Sequence, residues 1–365
     1  MMESTFRPGK GRLRLTVSQQ KRFLDLAVAL FLLLYTVITL FPFYVLFVRT
    51  FIATKESTDL HLWIPPAEEI SMDAQLGNLA VYYNLDIGEF KEDLGIPVTD
   101  YIPARTTLEQ ISQEYSIPME KMQRYFAGFS TYSGWITLFS RGELWGPVFR
   151  TLLITIASLV GLNALSILTG YGLAGLRRKD QMFIYGLYLL QMVIPPMLII
   201  LPQFMIVQRL VRLLPHSDVA GPTRYAAQIL SVVLLNIQGG ALTTMIYTST
   251  IATIPPDLEE SAMIDGASRW QYLRHILLPL LKVPVAAVTV TMLPTIWNQF
   301  LQPYIYLDVA NTTLLPFIQQ YTGQYTTNFQ VVYTGVFVSV LPLVIVYVVF
   351  RRWFVSGVMA GAVKG

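Results

Sequence analysis

Cysteine is absent from all 365 residues, and histidine occurs only three times. The first absence excludes disulfides, thiolate metal sites and a cysteine nucleophile. His61, His216 and His275 lie far apart in sequence, so no pair has metal-ligand spacing. Charge is scarce too: 13% of residues are Asp, Glu, Lys or Arg, against roughly 25% in soluble domains. No G-x-x-x-x-G-K-[ST] phosphate loop occurs, so ATP hydrolysis is not expected of this chain. What fills the sequence instead is apolar: 53% of residues are hydrophobic, clustered in blocks of about 20 or more, long enough to cross a hydrocarbon core of about 30 Å. An all-α polytopic membrane protein is the class that fits.

The net charge of +3 hides an asymmetry. Between Arg49 and Pro147 there are 7 basic and 14 acidic residues; elsewhere there are 19 and 9. The basic residues sit in short clusters beside apolar blocks, as the positive-inside rule expects of cytoplasmic ends, and form no single patch for a nucleic acid. This predicts a cytoplasmic basic N-terminus (1–22) and a retained first transmembrane helix (23–48). A net acidic extracytoplasmic insertion (49–146) comes next. A membrane core (147–354) carries five further helices, and a cytoplasmic tail (355–365) ends the chain. Within the core the blocks begin near Val148, Met182, Ala226, Val283 and Val331. A polar cytoplasmic loop, 252–281, separates the fourth from the fifth. Six crossings put both termini inside. Within the insertion, Thr106 to Phe126 reads as two short helices around Ser116-Ile117-Pro118. The run Thr107 to Tyr115 also resembles the LysM glycan-binding pattern.

Gly170-Tyr171-Gly172-Leu173-Ala174-Gly175 matches G-x-G-x-x-G literally. That fingerprint needs a preceding strand and a helix N-terminus at a pyrophosphate, whereas these glycines end an apolar block and run into Arg177-Arg178-Lys179. Close helix packing explains them better. In loop 252–281, Pro255-Pro256-Asp257 opens a short acidic-headed helix and Gly266 can take the left-handed conformation that stops it. Ser268 caps a second helix, Arg269 to Leu278, which Pro279 closes. The expected product is a rigid helix–turn–helix knob with a small-residue face at Ala262 and Ala267. Uncharged polar groups within the blocks, Asn236, Gln238, Asn298, Gln299 and Gln302 with the neighbouring Trp297, are candidates for a solute path. Interhelical hydrogen bonding is an equal alternative for each. Gln191 and Gln203 flank the prolines of the third block, and Pro195-Pro196 and Gly239-Gly240 are candidate helix breaks.

The run Glu260-Ser261-Ala262-Met263-Ile264-Asp265-Gly266-Ala267, continuing to Ile276-Leu277-Leu278-Pro279, resembles the EAA loop of binding-protein-dependent ABC permeases. Only Ser261 departs from that pattern. Trp297-Asn298-Gln299-Phe300-Leu301-Gln302-Pro303 and the tail Val355 to Gly365 look like the carbohydrate branch, and in particular its maltose-type second permease subunit. The resemblance covers the first helix and Leu144 onward. It implies the type I importer permease fold in a bacterial inner membrane, with an insertion between helices 1 and 2. It also implies a second permease subunit, two cytoplasmic ATPase subunits and an extracytoplasmic solute-binding protein. ATP and Mg would sit on the ATPases, and no cofactor, metal or catalytic residue in this chain. Glu260 and Asp265 would orient the knob, Gly266 would set its turn, and Ala262 and Ala267 would allow close docking. The solute would be a sugar, an oligosaccharide or a related polar molecule. A membrane-anchored sensor or glycan-binding protein using the insertion is the competing class.

Overall fold

The computed structural model describes residues 17–53, 59, 61–64, 69–83, 85–140, 144–213, 221–238, 240–323 and 327–362. Expectations for the first sixteen residues, for the loop holding His216 and Asp218, for Gly239 and for the last three residues fall outside these. The chain is mostly helical, and among the described residues β-pairing is confined to two isolated bridges. Helix α1, Val17–Arg49, is apolar from Leu26 to Val48 and exposes most of that stretch. The hydroxyls of Thr36 and Thr39 donate to carbonyls one turn back, Leu32 and Tyr35, which satisfies them without water. Only its end packs, with Val48 and Ile52 buried and Phe47 set against Phe337 at 5.3 Å between ring centroids.

After α1 come four short helices: α2, Leu76–Tyr83; α3, Ile87–Leu94; α4, Leu108–Glu114; and α5, Met119–Phe126. They are two copies of one helical hairpin. Leu76, Leu79, Tyr83, Leu85, Phe90 and Leu94 have counterparts at a constant spacing of 32 residues (76 to 108, 94 to 126). These are Leu108, Ile111, Tyr115, Ile117, Met122 and Phe126. Both sets pack into one core. The backbone obeys the same symmetry. Leu76 N–H donates to Thr106 O and Leu108 N–H to Ala74 O, Gly77 N–H to Ala104 O and Glu109 N–H to Met72 O. Gln75 and Thr107 form the bridge between the copies. The helical-hairpin reading of 106–126 therefore holds, but that segment is half of a duplicated unit. Each copy is a pair of helices, and a single bridge joins the residues that open the two copies.

Helix α6, Phe129–Ser140, carries this unit onto the membrane core. A side chain at Gly134 would come within 2.8 Å of Thr334, so glycine allows α6 to lie directly on the last helix. The centre of the core is α7, Trp145–Ala174, half of whose apolar stretch is buried. Added Cβ atoms at Gly161 and Gly170 would meet Ile237 at 2.5 Å and Tyr247 at 2.9 Å. Gly170 thus serves helix packing, and the G-x-G-x-x-G run lies at a helix C-terminus.

Three further blocks are bent pairs. Helix α8, Arg178–Val193, meets α9, Pro196–Val211, at 107° across the Pro195-Pro196 break. Helix α10, Pro222–Ile237, meets α11, Ala241–Ile251, at 55°. Helix α12, Asp257–Ile264, belongs to the knob, and α13, Arg269–Leu280, meets α14, Lys282–Trp297, at 71°. Pro279 stands one residue before the end of α13 at Leu280. The helix widens into a π turn at Leu273–Leu277, with Leu278 N–H reaching back to Leu273 O, and so continues past the proline. The fifth block also ends earlier than its hydropathy suggests. After α14 come α15, Leu301–Tyr306, and α16, Leu314–Gln319. Helix α17, Phe329–Ala362, then runs unbroken through the segment expected to be a separate tail. Among the described residues three helices are long and apolar enough to cross a membrane: Lys21–Arg49, Trp145–Ala174 and Phe329–Val349. The number rises to six if each bent pair crosses once.

Candidate functional site: a coupling knob and a membrane amide cluster

The knob is built from both ends of its loop. Helix α12 ends at Gly266, whose φ of 84° suits glycine, and Ala267 N–H closes the turn on Ala262 O at 2.9 Å. Ser268 then caps α13: Gln271 N–H donates to its hydroxyl and Gln271 Oε1 accepts from Ser268 N–H at 2.7 Å. Ala262 is 7% exposed and packs with Tyr272, Leu273, Leu277 and Leu281, which continue to Tyr247, Ile251 and Val288 of the core. Knob and helix ends therefore share one packed core. Tyr171, at the end of α7, donates its hydroxyl hydrogen bond to the Glu259 carboxylate. A cavity of about 580 Å³ lies behind that contact, lined by Tyr171, Pro255, Pro256, Glu259, Arg269 and Tyr272. Leu258, Trp270 and above all Ile264, at 85%, are exposed on the knob. Exposed apolar side chains of this size make the knob a candidate contact surface.

Deeper in the bundle, polar groups from four segments converge. Asn236 of α10 donates through Nδ2 to Ser158 Oγ of α7 and to Gln299 Oε1, both at 3.1 Å. Gln299 Nε2 donates back to Asn236 Oδ1 at 2.9 Å and also to Gln302 Oε1. Further along α7, Asn163 Nδ2 donates to Thr289 Oγ1 of α14 at 3.2 Å, while Tyr247 of α11 donates to Asn163 Oδ1. Ser166 and Thr243 pair at 3.0 Å. Each group has a partner, as an apolar medium requires. Beside the amides, Phe300 and Tyr304 stack with centroids 5.3 Å apart, and both are exposed.

Residues 163–359 match the family model of the binding-protein-dependent transport system inner membrane component. The chain belongs to this family. It is thus an inner-membrane transport component rather than an enzyme. Among relatives, the probable starch degradation products transport system permease protein AmyC of Thermoanaerobacterium thermosulfurigenes is 30% identical over 216 residues, 59% of this chain and 74% of that protein. The diacetylchitobiose uptake system permease protein DasC of Streptomyces coelicolor is 28% identical over 237 residues, 64% and 81% of the two chains. The crystal structure of a bacterial ABC transporter involved in the import of the acidic polysaccharide alginate contains a chain of the same fold. Its TM-score is 0.57 at 14% identity, over 93% of this chain and 99% of that one.

Within this permease the expected site residues separate. Asn236, Gln299 and Gln302 are brought together and bond to one another, while Gln238 and Asn298 lie exposed beside them. Trp297 is not part of any path here. It is 5% exposed, sits among Leu314, Phe317 and Val331, and donates through Nε1 to Ser339 O at 2.9 Å. Ala262 is buried in the permease's own core and Ala267 is half-buried against it, so the expected small-residue face is turned largely inward. Glu260 and Asp265 are exposed, and the carboxylate that ties the knob down belongs to Glu259. Sequence reasoning missed Glu259, Tyr171, Ser158 and Asn163. Asn163 was within reach, being an intramembrane amide like the others; Tyr171 was masked by the glycine fingerprint around it.

Proposed function

We propose that this permease is one of two membrane subunits of a bacterial importer for a sugar or oligosaccharide, driven by ATP on partner subunits. The observation that carries the reading is the knob, with its packed core attachment and its bare Leu258, Ile264 and Trp270. The names of relatives that handle starch products and diacetylchitobiose support the solute class. In this reading all six spans cross the membrane in a type I permease fold with both termini cytoplasmic. The acidic duplicated unit is extracytoplasmic, where it docks the solute-binding protein.

The mechanism follows from connectivity. Two ATPases binding ATP and Mg²⁺ close together and pull the knob through its apolar face. The knob is held in place, because Ala262, Leu273, Leu277 and Leu281 pack it against α14, and Glu259 ties it to α7 through Tyr171. Helix α14 is a lever of about 24 Å at 1.5 Å per residue, and its far end leads into the amide cluster. Tilting it separates Gln299 from Asn236 and frees amides for solute hydroxyls. Phe300 and Tyr304 offer a stacked aromatic surface to the apolar face of a sugar ring. Gln238 and Asn298 complete the polar lining. The test is ATP-dependent uptake of starch fragments and chitobiose by proteoliposomes holding the complex and its binding protein. Uptake of a saccharide, lowered about tenfold or more by Gln299→Ala with ATP hydrolysis retained, is expected. Saccharide uptake independent of ATP contradicts the reading.

A further inference from the structure

At the end of the bundle remote from the knob, a cavity of about 590 Å³ opens between α9, α10 and the end of α15. Its lining holds three guanidinium groups, Arg209, Arg212 and Arg224, and one carboxylate, Asp308. Arg224 Nη2 meets Asp308 Oδ1 at 3.0 Å, and that pair neutralises itself. Arg209 and Arg212 lie three residues apart on the last turn of α9 and its cap, close enough to serve one ligand, and both are exposed. Among the described lining residues no other acid faces them.

A second observation sits in the wall of the same cavity. Gln228 is 8% exposed, and its amide oxygen is buried with no hydrogen-bond partner. A buried acceptor left bare is costly, and no donor of the cavity wall, Arg224 and Gln208 included, hydrogen-bonds to it. Guanidinium forks match carboxylate and phosphate oxygens, and the amide oxygen asks for a hydroxyl. We propose that this cavity binds a carboxylate or phosphate group on Arg209 and Arg212, with a neighbouring hydroxyl of the same molecule donating to Gln228. Sugar acids carry that chemistry, and so does the headgroup of phosphatidylglycerol. The site lies apart from the amide cluster and the knob, so it stands whether or not the transport reading does.

The test is direct binding to the protein, purified with its associated subunits in phosphatidylcholine nanodiscs. The probes are glucuronate, acetate and glucose, which carry charge with hydroxyls, charge alone and hydroxyls alone. Glucuronate should bind most tightly, with acetate weaker and glucose not detected. Arg209→Gln with Arg212→Gln, both at exposed positions, should weaken glucuronate roughly tenfold or more. Gln228→Leu should bring glucuronate down to the level of acetate. Repeating the titration with phosphatidylglycerol in the disc distinguishes the sources. Unchanged glucuronate affinity assigns the site to a soluble anion; weakened affinity, with phosphatidylglycerol retained by wild type and lost from the double variant in native mass spectra, assigns it to a headgroup. The proposal is overturned if neither glucuronate nor phosphatidylglycerol binds, or if the double variant binds them as wild type does.

Discussion

Gln330 is fully buried, yet it donates to the carbonyls of Thr131 at 2.7 Å and Thr50 at 3.3 Å and accepts from Ser133 Oγ at 2.5 Å. One side chain thereby joins the end of α1, the insertion's last helix and α17. Gln330→Leu would strand all three partners, and a loss of about 2 kcal/mol is expected, read as a lower melting temperature in detergent. The amide cluster behaves differently, since its groups lie half-exposed and find new partners readily. Asn236→Ala should cost only about 0.6 kcal/mol of stability, the average for interhelical hydrogen bonds in a membrane. Its larger effect is expected on solute uptake. Within the insertion, burial pushes the Tyr125 hydroxyl up to about 12, helped by Asp93, Glu89 and Asp86. A raised folded-state value contributes stability below pH 10 that is lost as pH rises towards 12. Alkaline unfolding in that window should be shallower in Tyr125→Phe, followed by circular dichroism.

Among the elements, α7 depends on what its glycines leave out. Gly170→Val would press into Tyr247 and the backbone at Thr248, which are 2.9 and 3.1 Å from a Cβ there, and should destabilise by about 1–3 kcal/mol. Much of this level was legible in the sequence. Ser268 and Gly266 are capping signals that act locally, so their turn follows from residue chemistry alone. Pro195-Pro196 was legible as a break for the same reason. The direction each face points was not legible. Ala262 looked like a docking surface because small residues permit close approach, but the approach they permit is to Tyr272 and Leu277 of the same chain. Trp297 was misplaced for a similar reason: the carbonyl of Ser339 that receives its indole is 42 residues away. The duplication of the insertion was present in the sequence as a 32-residue spacing of apolar positions. It was hidden because Thr107 opens the second copy with a capping box, while the first copy opens on Gln75.

For the whole molecule, composition and block length were enough for the class, since a chain so poor in charge has no other solvent than lipid. The EAA-like run and the family match then agree on a transport permease. The 55° bend falls between α10 and α11, where the Gly239-Gly240 pair had marked a candidate break. The 71° bend was not legible, because hydropathy windows register apolar length and are blind to a change of direction within it. That bending matters for function, as it joins the knob to the lever of α14 in one packed unit. The claim that the knob's apolar face couples this permease to an ATPase is tested most directly by co-purification from native membranes. Wild type is compared with Ile264→Asp, at a position that is 85% exposed and so tolerant of the change. The account predicts that wild type recovers an ATPase and a second permease, and that the variant keeps the permease and loses the ATPase. Undiminished recovery of the ATPase with Ile264→Asp would contradict it.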